Sequence, residues 1–237
     1  MQQEAIVLAG GFGTRLRSVV SDVPKPMAPV AGRPFLCHLM EALKDEGYGH
    51  IVLATGYLHE KVEGYFGSDY DGLRIDYAVE KEPLGTGGAI VNGLQHCDCA
   101  MVTVLNGDTM FKIDHTRLIA ASEEKETPLA IALRQVENSG RYGSVECDDE
   151  GRIIAFREKD DKGLPGYING GIYRIDRHLL DGFPEGRQFS FEKEVLQKEY
   201  MEKRFYGVRF DGYFIDIGIP EDYERAQREL VRARTGR

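Results

Sequence analysis

The chain has 237 residues, enough for one elaborated domain with a sizeable core. Its 30 Lys and Arg against 39 Asp and Glu leave a formal charge of -9, a field that repels phosphate backbones and argues against nonspecific nucleic-acid binding. No apolar run approaches the roughly 20 residues of a membrane-spanning helix, and Met1-Gln2-Gln3-Glu4 lacks the basic segment and apolar core of a secretion signal, so a cytoplasmic protein without membrane contact is expected. Cys37, Cys97, Cys99 and Cys147 form no CxxC pair and the histidines form no HxxxH, which removes zinc-ligand spacing and leaves reduced structural thiols as the expectation.

In chain order, Ala5-Ile6-Val7-Leu8-Ala9 is an apolar run ending in Gly10-Gly11, the pattern of a strand buried on both faces of a parallel sheet. Phe35, Leu36, Leu39, Met40 and Leu43 recur at helical spacing before Gly47, and Ile51-Val52-Leu53-Ala54 reads as the next strand, which makes a βαβ unit. Leu73, Ile75, Tyr77 and Val79 alternate as a strand, Ile90, Val91 and Leu94 suggest a helix, and Met101 to Leu105 is a further buried strand. Strands alternating with helices predict an α/β fold, Rossmann-like and doubly wound, with a mostly parallel sheet. After about residue 128 strand-like runs dominate (129–133, 153–156, 172–175), which suggests a substrate-binding lobe grown onto the sheet. Pro220 suits the first turn of a last helix whose Tyr223, Ala226 and Leu230 face inward.

Leu8 to Arg17 is a glycine-rich loop leaving the first strand, where free backbone N–H groups meet phosphate oxygens or merely make a tight turn. It is neither a dinucleotide fingerprint, which needs glycine where Leu16 stands, nor a Walker loop, which needs Gly-Lys where Thr14-Arg15 stands. In Pro24-Lys25-Pro26-Met27 two prolines predict a stiff, extended backbone that fixes the Lys25 ammonium near that loop. Asn106-Gly107-Asp108 places a carboxylate at the carboxyl edge of the sheet, where open α/β folds bind ligands. Asp216 is a lone charge in the apolar run Tyr213 to Gly218 and requires a partner. Two such carboxylates beside a triphosphate suit Mg²⁺; a turn cap for Asp108 and a buried salt bridge for Asp216 are the plainer readings.

These motifs, together with Leu84-Gly85-Thr86-Gly87-Gly88-Ala89, Glu158-Lys159 and Asn169-Gly170-Gly171, resemble the sugar-1-phosphate nucleotidyltransferase family over nearly the whole chain. Within it, the stretches 80–90 and 214–223 are most similar to guanylyltransferases acting on D-glycero-α-D-manno-heptose 1-phosphate. The resemblance implies one domain spanning 1–237, with a nucleotide-binding half to about 127 and a sugar-binding half from about 128. It implies Arg15 and Lys25 as catalytic cations and Asp108 and Asp216 as Mg²⁺ ligands. Leu8, Gly10, Gly11, Gly13, Thr14, Glu80, Gly85, Thr86 and Gly88 would bind the nucleotide, and Asn106, Gly107, Glu158, Lys159, Asn169 and Gly170 the sugar phosphate.

The implied reaction is attack by a sugar-phosphate oxygen on the α-phosphorus of GTP, with pyrophosphate leaving, for cell-surface polysaccharide synthesis. A phosphate monoester with a second pKa near 6 is mostly dianionic at neutral pH, so no general base is required and the lack of an obvious catalytic histidine is accounted for. Glu80 favours guanine over uracil, because a carboxylate accepts from both N1–H and the exocyclic amine while uracil offers only N3–H. A uridylyltransferase, or a guanylyltransferase for another sugar 1-phosphate, stays open at this point, as does a noncatalytic nucleotide-binding regulator and the question of a homo-oligomer.

Overall fold

The computed structural model describes residues 3–11, 22–140, 142–157 and 163–235, with side chains to residue 230. Strand β1 (Gln3–Leu8) is followed by the two-residue strands β2 (Pro29–Val30) and β3 (Arg33–Pro34), then α1 (Phe35–Asp45), β4 (Tyr48–Thr55), α2 (His59–Phe66), β5 (Asp69–Tyr70) and β6 (Leu73–Val79). Next come α3 (Gly85–Leu94), β7 (Met101–Asn106), β8 (Thr109–Phe111), α4 (His115–Glu124) and β9 (Leu129–Val136). The remainder comprises β10 (Ser144–Cys147), β11 (Ile153–Arg157), β12 (Gly166–Asp176), α5 (Gln197–Lys203), β13 (Tyr206–Phe210), β14 (Phe214–Asp216) and α6 (Pro220–Thr235).

Eight strands form one sheet in the order β13-β9-β12-β7-β1-β4-β6-β5. Only β12 and β5 run against the rest. Successive residues of β1 feed opposite cores: Ala5 and Val7 join α1, α2 and α6 on one face, and Ile6 joins α3 on the other. Burial on both faces is why these strands read as continuous apolar runs. Helix α1 stops at Gly47, whose φ of +84° is the left-handed conformation that closes a helix at little cost for glycine. From β1 the chain winds outward through β4 and β6, then crosses back to place β7 on the other side of β1. The reversal opens a crevice at the carboxyl ends of β1 and β7.

The second half grows onto the same sheet. β9, β12 and β13 extend the same sheet past β7, and β10 and β11 pair as a separate ribbon. The last elements return to the first half: β14 pairs with β8, the Tyr223 hydroxyl donates to the Pro29 carbonyl at 2.6 Å, and the Ala31 N–H donates to Gln227 Oε1 at 2.9 Å. The boundary near 127 therefore separates sequence patterns, and the core is continuous across it. The four cysteines are free thiols, and burial pushes Cys97 up to about 12 and Cys147 up to about 11.

Candidate active site

The crevice is built by two strand ends that approach more closely than side chains allow. The Gly107 N–H donates to the Leu8 carbonyl at 3.0 Å, and a Cβ on Gly107 would lie 2.5 Å from that oxygen. Gly107 is therefore buried as the joint between β1 and β7, and the next residue, Asp108, points into the opening. Asp216 arrives from the far end of the chain. Antiparallel pairing of β14 with β8 sets Asp216 opposite Thr109, and the Ile217 N–H donates to the Asp108 carbonyl at 3.0 Å.

Between the two carboxylates lies Lys25. Its Nζ donates to Asp108 Oδ2 and stands 3.6 Å from Asp216 Oδ1, with the lysine side chain only 14% exposed. The backbone that holds it is not extended, as the flanking prolines predicted, but a single 3₁₀ turn over Lys25–Met27, closed by Met27 N–H to the Pro24 carbonyl at 2.8 Å. The correction has a local cause: Pro26 sits in a first turn, where its missing N–H breaks no bond and its fixed φ suits the turn. Gly218, which the sequence reading did not single out, leaves the room. A Cβ there would lie 2.8 Å from Asp216 Oδ1 and 3.0 Å from Lys25 Nζ.

Two carboxylates and one ammonium leave a net negative charge and only hard oxygen donors, which fits a divalent cation. Among the described residues no group of three or more His, Cys, Asp or Glu could cage an ion alone, so the remaining ligands have to come from a bound anion and water.

A cavity of about 550 Å³ runs from this cluster along the crevice. Its wall includes Leu8, Gly10, Gly11, Lys25, Asn106 and Asp108 at the charged end and Glu80, Gly85, Thr86, Ala89 and Gln188 farther along, with no histidine among the described residues that line it. Glu80 Oε2 accepts from the Leu84 N–H at 3.0 Å, while Oε1 faces Gly10, where a Cβ would meet it at 3.3 Å. Burial raises the Glu80 pKa above the usual carboxylate range, and the Leu84 N–H partly offsets it.

The glycines after Leu84 have a second use. Gly85, with φ of +68°, would put a Cβ 2.5 Å from the Phe189 carbonyl, and a Cβ on Gly88 would lie 2.4 Å from that of Arg187. Gly88 is buried in this packing, where it makes a close helix–loop contact.

Asn169 and Gly170 lie where β12 bulges away from β9, between Asn169 and Tyr173. The Asn169 amide donates to the Tyr173 hydroxyl at 2.8 Å, and its oxygen accepts from the Gly171 N–H at 2.9 Å. Gly171 packs on the Asn106 side chain, which brings the bulge beside the crevice, whereas Gly170 is buried against the Phe111 ring. Gly13, Thr14, Arg15, Glu158 and Lys159 lie outside the described residues.

Glu80 carries a testable cost. A carboxyl whose folded pKa is raised stabilises the fold only below its unfolded pKa, and that contribution is lost as pH rises through the folded value. At pH 7 the buried charge is therefore a penalty, and Glu80→Gln, whose amide oxygen still accepts from Leu84, is expected to melt higher than the parent. The difference should shrink toward zero as pH falls below the ordinary carboxylate range near 4. A variant that melts lower at pH 7 in thermal scans would refute this.

Residues 4–233 match the nucleotidyl transferase family, and the chain belongs to that family. It is 45% identical over 227 residues to the D-glycero-α-D-manno-heptose 1-phosphate guanylyltransferase of Aneurinibacillus thermoaerophilus, covering 96% of this chain and 98% of that one. The mannose-1-phosphate guanylyltransferase of Mycobacterium tuberculosis is 38% identical over 236 residues, 98% of this chain and 65% of the relative. The crystal structure of HddC from Yersinia pseudotuberculosis complexed with GMP-PN superimposes with a TM-score of 0.85 at 36% identity, covering 97% of this chain and all of that one.

Proposed function

We propose that the protein transfers GMP from GTP to D-glycero-α-D-manno-heptose 1-phosphate, giving GDP-heptose and pyrophosphate, with Mg²⁺ as the cation. The observation that carries this reading is the meeting of Lys25, Asp108 and Asp216, with Lys25 and Asp108 on the wall of a cavity that also holds the Glu80 carboxylate. The heptose acceptor rests on similarity to the Aneurinibacillus enzyme over almost the full length of both chains. Free thiols support a reducing, cytoplasmic setting, and no helix among the described residues is long and apolar enough to cross a membrane.

In this reading the triphosphate lies over Gly10 and Gly11, whose backbone approaches it without side chains, and the base extends toward Glu80. Asp108 and Asp216 would hold Mg²⁺, which would supply charge neutralisation at the phosphate oxygens. Lys25 is proposed to follow charge from the attacked phosphorus to the departing pyrophosphate. Arg15 is proposed to add a second cation on the triphosphate, while Glu158 and Lys159 are proposed to take the sugar hydroxyls and the sugar phosphate. The acceptor arrives as a dianion, so the protein's task is to align two mutually repelling anions and shield their charge, without abstracting a proton.

The test is pyrophosphate release with GTP, UTP, ATP and CTP against heptose, mannose and N-acetylhexosamine 1-phosphates. Greatest kcat/KM for GTP with the heptose is expected. A preference for mannose 1-phosphate would favour the kinship with the mycobacterial enzyme, and no release with any pair would overturn the catalytic reading.

A further inference from the structure

We infer that Gln188 reads the O6 edge of guanine, completing on the base the recognition that Glu80 begins. The inference rests on the guanylyl reading above and deepens it.

Glu80 and Gln188 are more than 100 positions apart in the chain, yet both belong to one cavity wall. They are clamped to the same residue. Glu80 accepts from the Leu84 N–H at 3.0 Å, and the Leu84 carbonyl accepts from the N–H of Phe189, the residue after Gln188, at 2.9 Å. Two further bonds lock the segment: the Gly87 N–H to the Phe189 carbonyl at 3.0 Å and the Phe191 N–H to Thr86 Oγ1 at 2.9 Å. The glycine tract exists at this closeness only because Gly85, Gly87 and Gly88 carry no Cβ, which would stand 2.5 Å from the Phe189 carbonyl, 2.1 Å from its ring and 2.4 Å from the Arg187 carbonyl. These glycines thus deliver the Gln188 backbone to the wall and fix it there.

The chemistry of the pair selects a base. Guanine presents O6, N1–H and the 2-amino group in a row: one acceptor, then two donors. A carboxylate only accepts and suits the two donors, and a carboxamide N–H₂ supplies the donor that O6 needs. Uracil presents acceptor, donor, acceptor, so the same carboxylate would face a lone pair it cannot satisfy. Adenine places a donor where Gln188 would donate. Discrimination of this kind arises because the wrong base leaves polar groups of the wall facing like partners.

The experiment compares Gln188→Ala with the parent enzyme on three triphosphates at saturating sugar phosphate. GTP should lose about three- to tenfold in kcat/KM, the scale of one neutral hydrogen bond. Inosine triphosphate, which keeps O6, should lose the same factor. The triphosphate of 2-aminopurine riboside, which lacks O6, should lose nothing further. Gln188→Glu, which turns the donor into an acceptor, should lose more GTP activity than the alanine variant. Equal losses on all three nucleotides would mean that Gln188 only supports the wall, and no loss with GTP would mean that it does not meet the base; either result overturns the inference. If Lys81→Met and not Gln188→Ala shows the O6-dependent loss, the neighbouring lysine on the same wall is the reader and the inference fails. These outcomes leave the guanylyl reading standing, whereas a parent enzyme that prefers UTP would overturn both.

Discussion

Asp108→Asn is expected to lower kcat by about 10²–10³ while leaving the melting temperature nearly unchanged, since charge stabilisation by a bound cation is worth several kcal/mol at a phosphoryl transition state. The amide is a poor ligand for a hard divalent ion, yet it is isosteric: its oxygen still accepts from Lys25, and its N–H₂ faces the Thr109 hydroxyl, which donates to Asp108 Oδ1 at 3.2 Å in the parent and can turn to accept. The fold has little to lose because the Asp108 side chain is one-third exposed, where an ion pair contributes little to stability. Asp216→Asn should act alike, and the double variant should be little worse than either single, because both carboxylates serve one ion. Titration of Mg²⁺ against turnover checks this: the apparent metal requirement should rise in both variants, and undiminished activity at limiting Mg²⁺ would refute the pairing.

The parallel half of the fold was legible because its strands are buried on both faces. Runs such as Ile51 to Ala54 and Met101 to Leu105 leave no other way to hide so much apolar surface, and the observed β4 and β7 extend them by only a few residues. The beginning of β12 was not legible. The strand-like run begins only at 172 in the sequence, because Gly166 to Gly171 contains Asn169 and paired glycines, but the structure keeps them in the strand as a bulge, with Gly171 at φ of +75°. Helix α4 also left no periodic signal: Leu118 is its one large buried apolar residue, and the Asp114 carboxylate that caps it, accepting from the Arg117 N–H at 3.1 Å, is a cue that many loops share.

At the site, the residue types were legible and their partnerships were not. The sequence marks Lys25, Asp108 and Asp216 as unusual one by one, Lys25 by its prolines and Asp216 by its apolar surroundings. No spacing rule says that they meet, because the meeting depends on β14 pairing with β8 across the end of the sheet. The glycine tract at 85–88 was marked only through the resemblance, as nucleotide contacts; its geometry also answers to the Arg187–Phe189 backbone, a partner that sequence distance conceals. Gly218 was overlooked because the demand for a missing Cβ there comes from the Asp216 carboxylate as it turns toward the distant Lys25.

Replacing Lys25 should separate charge from geometry. Lys25→Met is expected to cut kcat by about 10²–10³, roughly 3–4 kcal/mol, the scale of removing one preorganised group that stabilises developing charge. A long-range field effect would be restored by any cation at this position. The geometry argues otherwise: the lysine side chain is 14% exposed and its Nζ already donates to Asp108 and stands 3.6 Å from Asp216, so a longer, planar guanidinium would have to shift its charge away from that position. Lys25→Arg should therefore keep the charge and still lose at least about tenfold in kcat. A third role, in which Lys25 merely glues Asp108 to Asp216, predicts a lower melting temperature for Lys25→Met with kcat per folded molecule unchanged. Single-turnover rates at saturating GTP, beside thermal melts of both variants, distinguish the three: full activity in Lys25→Arg would reduce the residue to a background charge, and full activity in Lys25→Met would remove it from the chemistry.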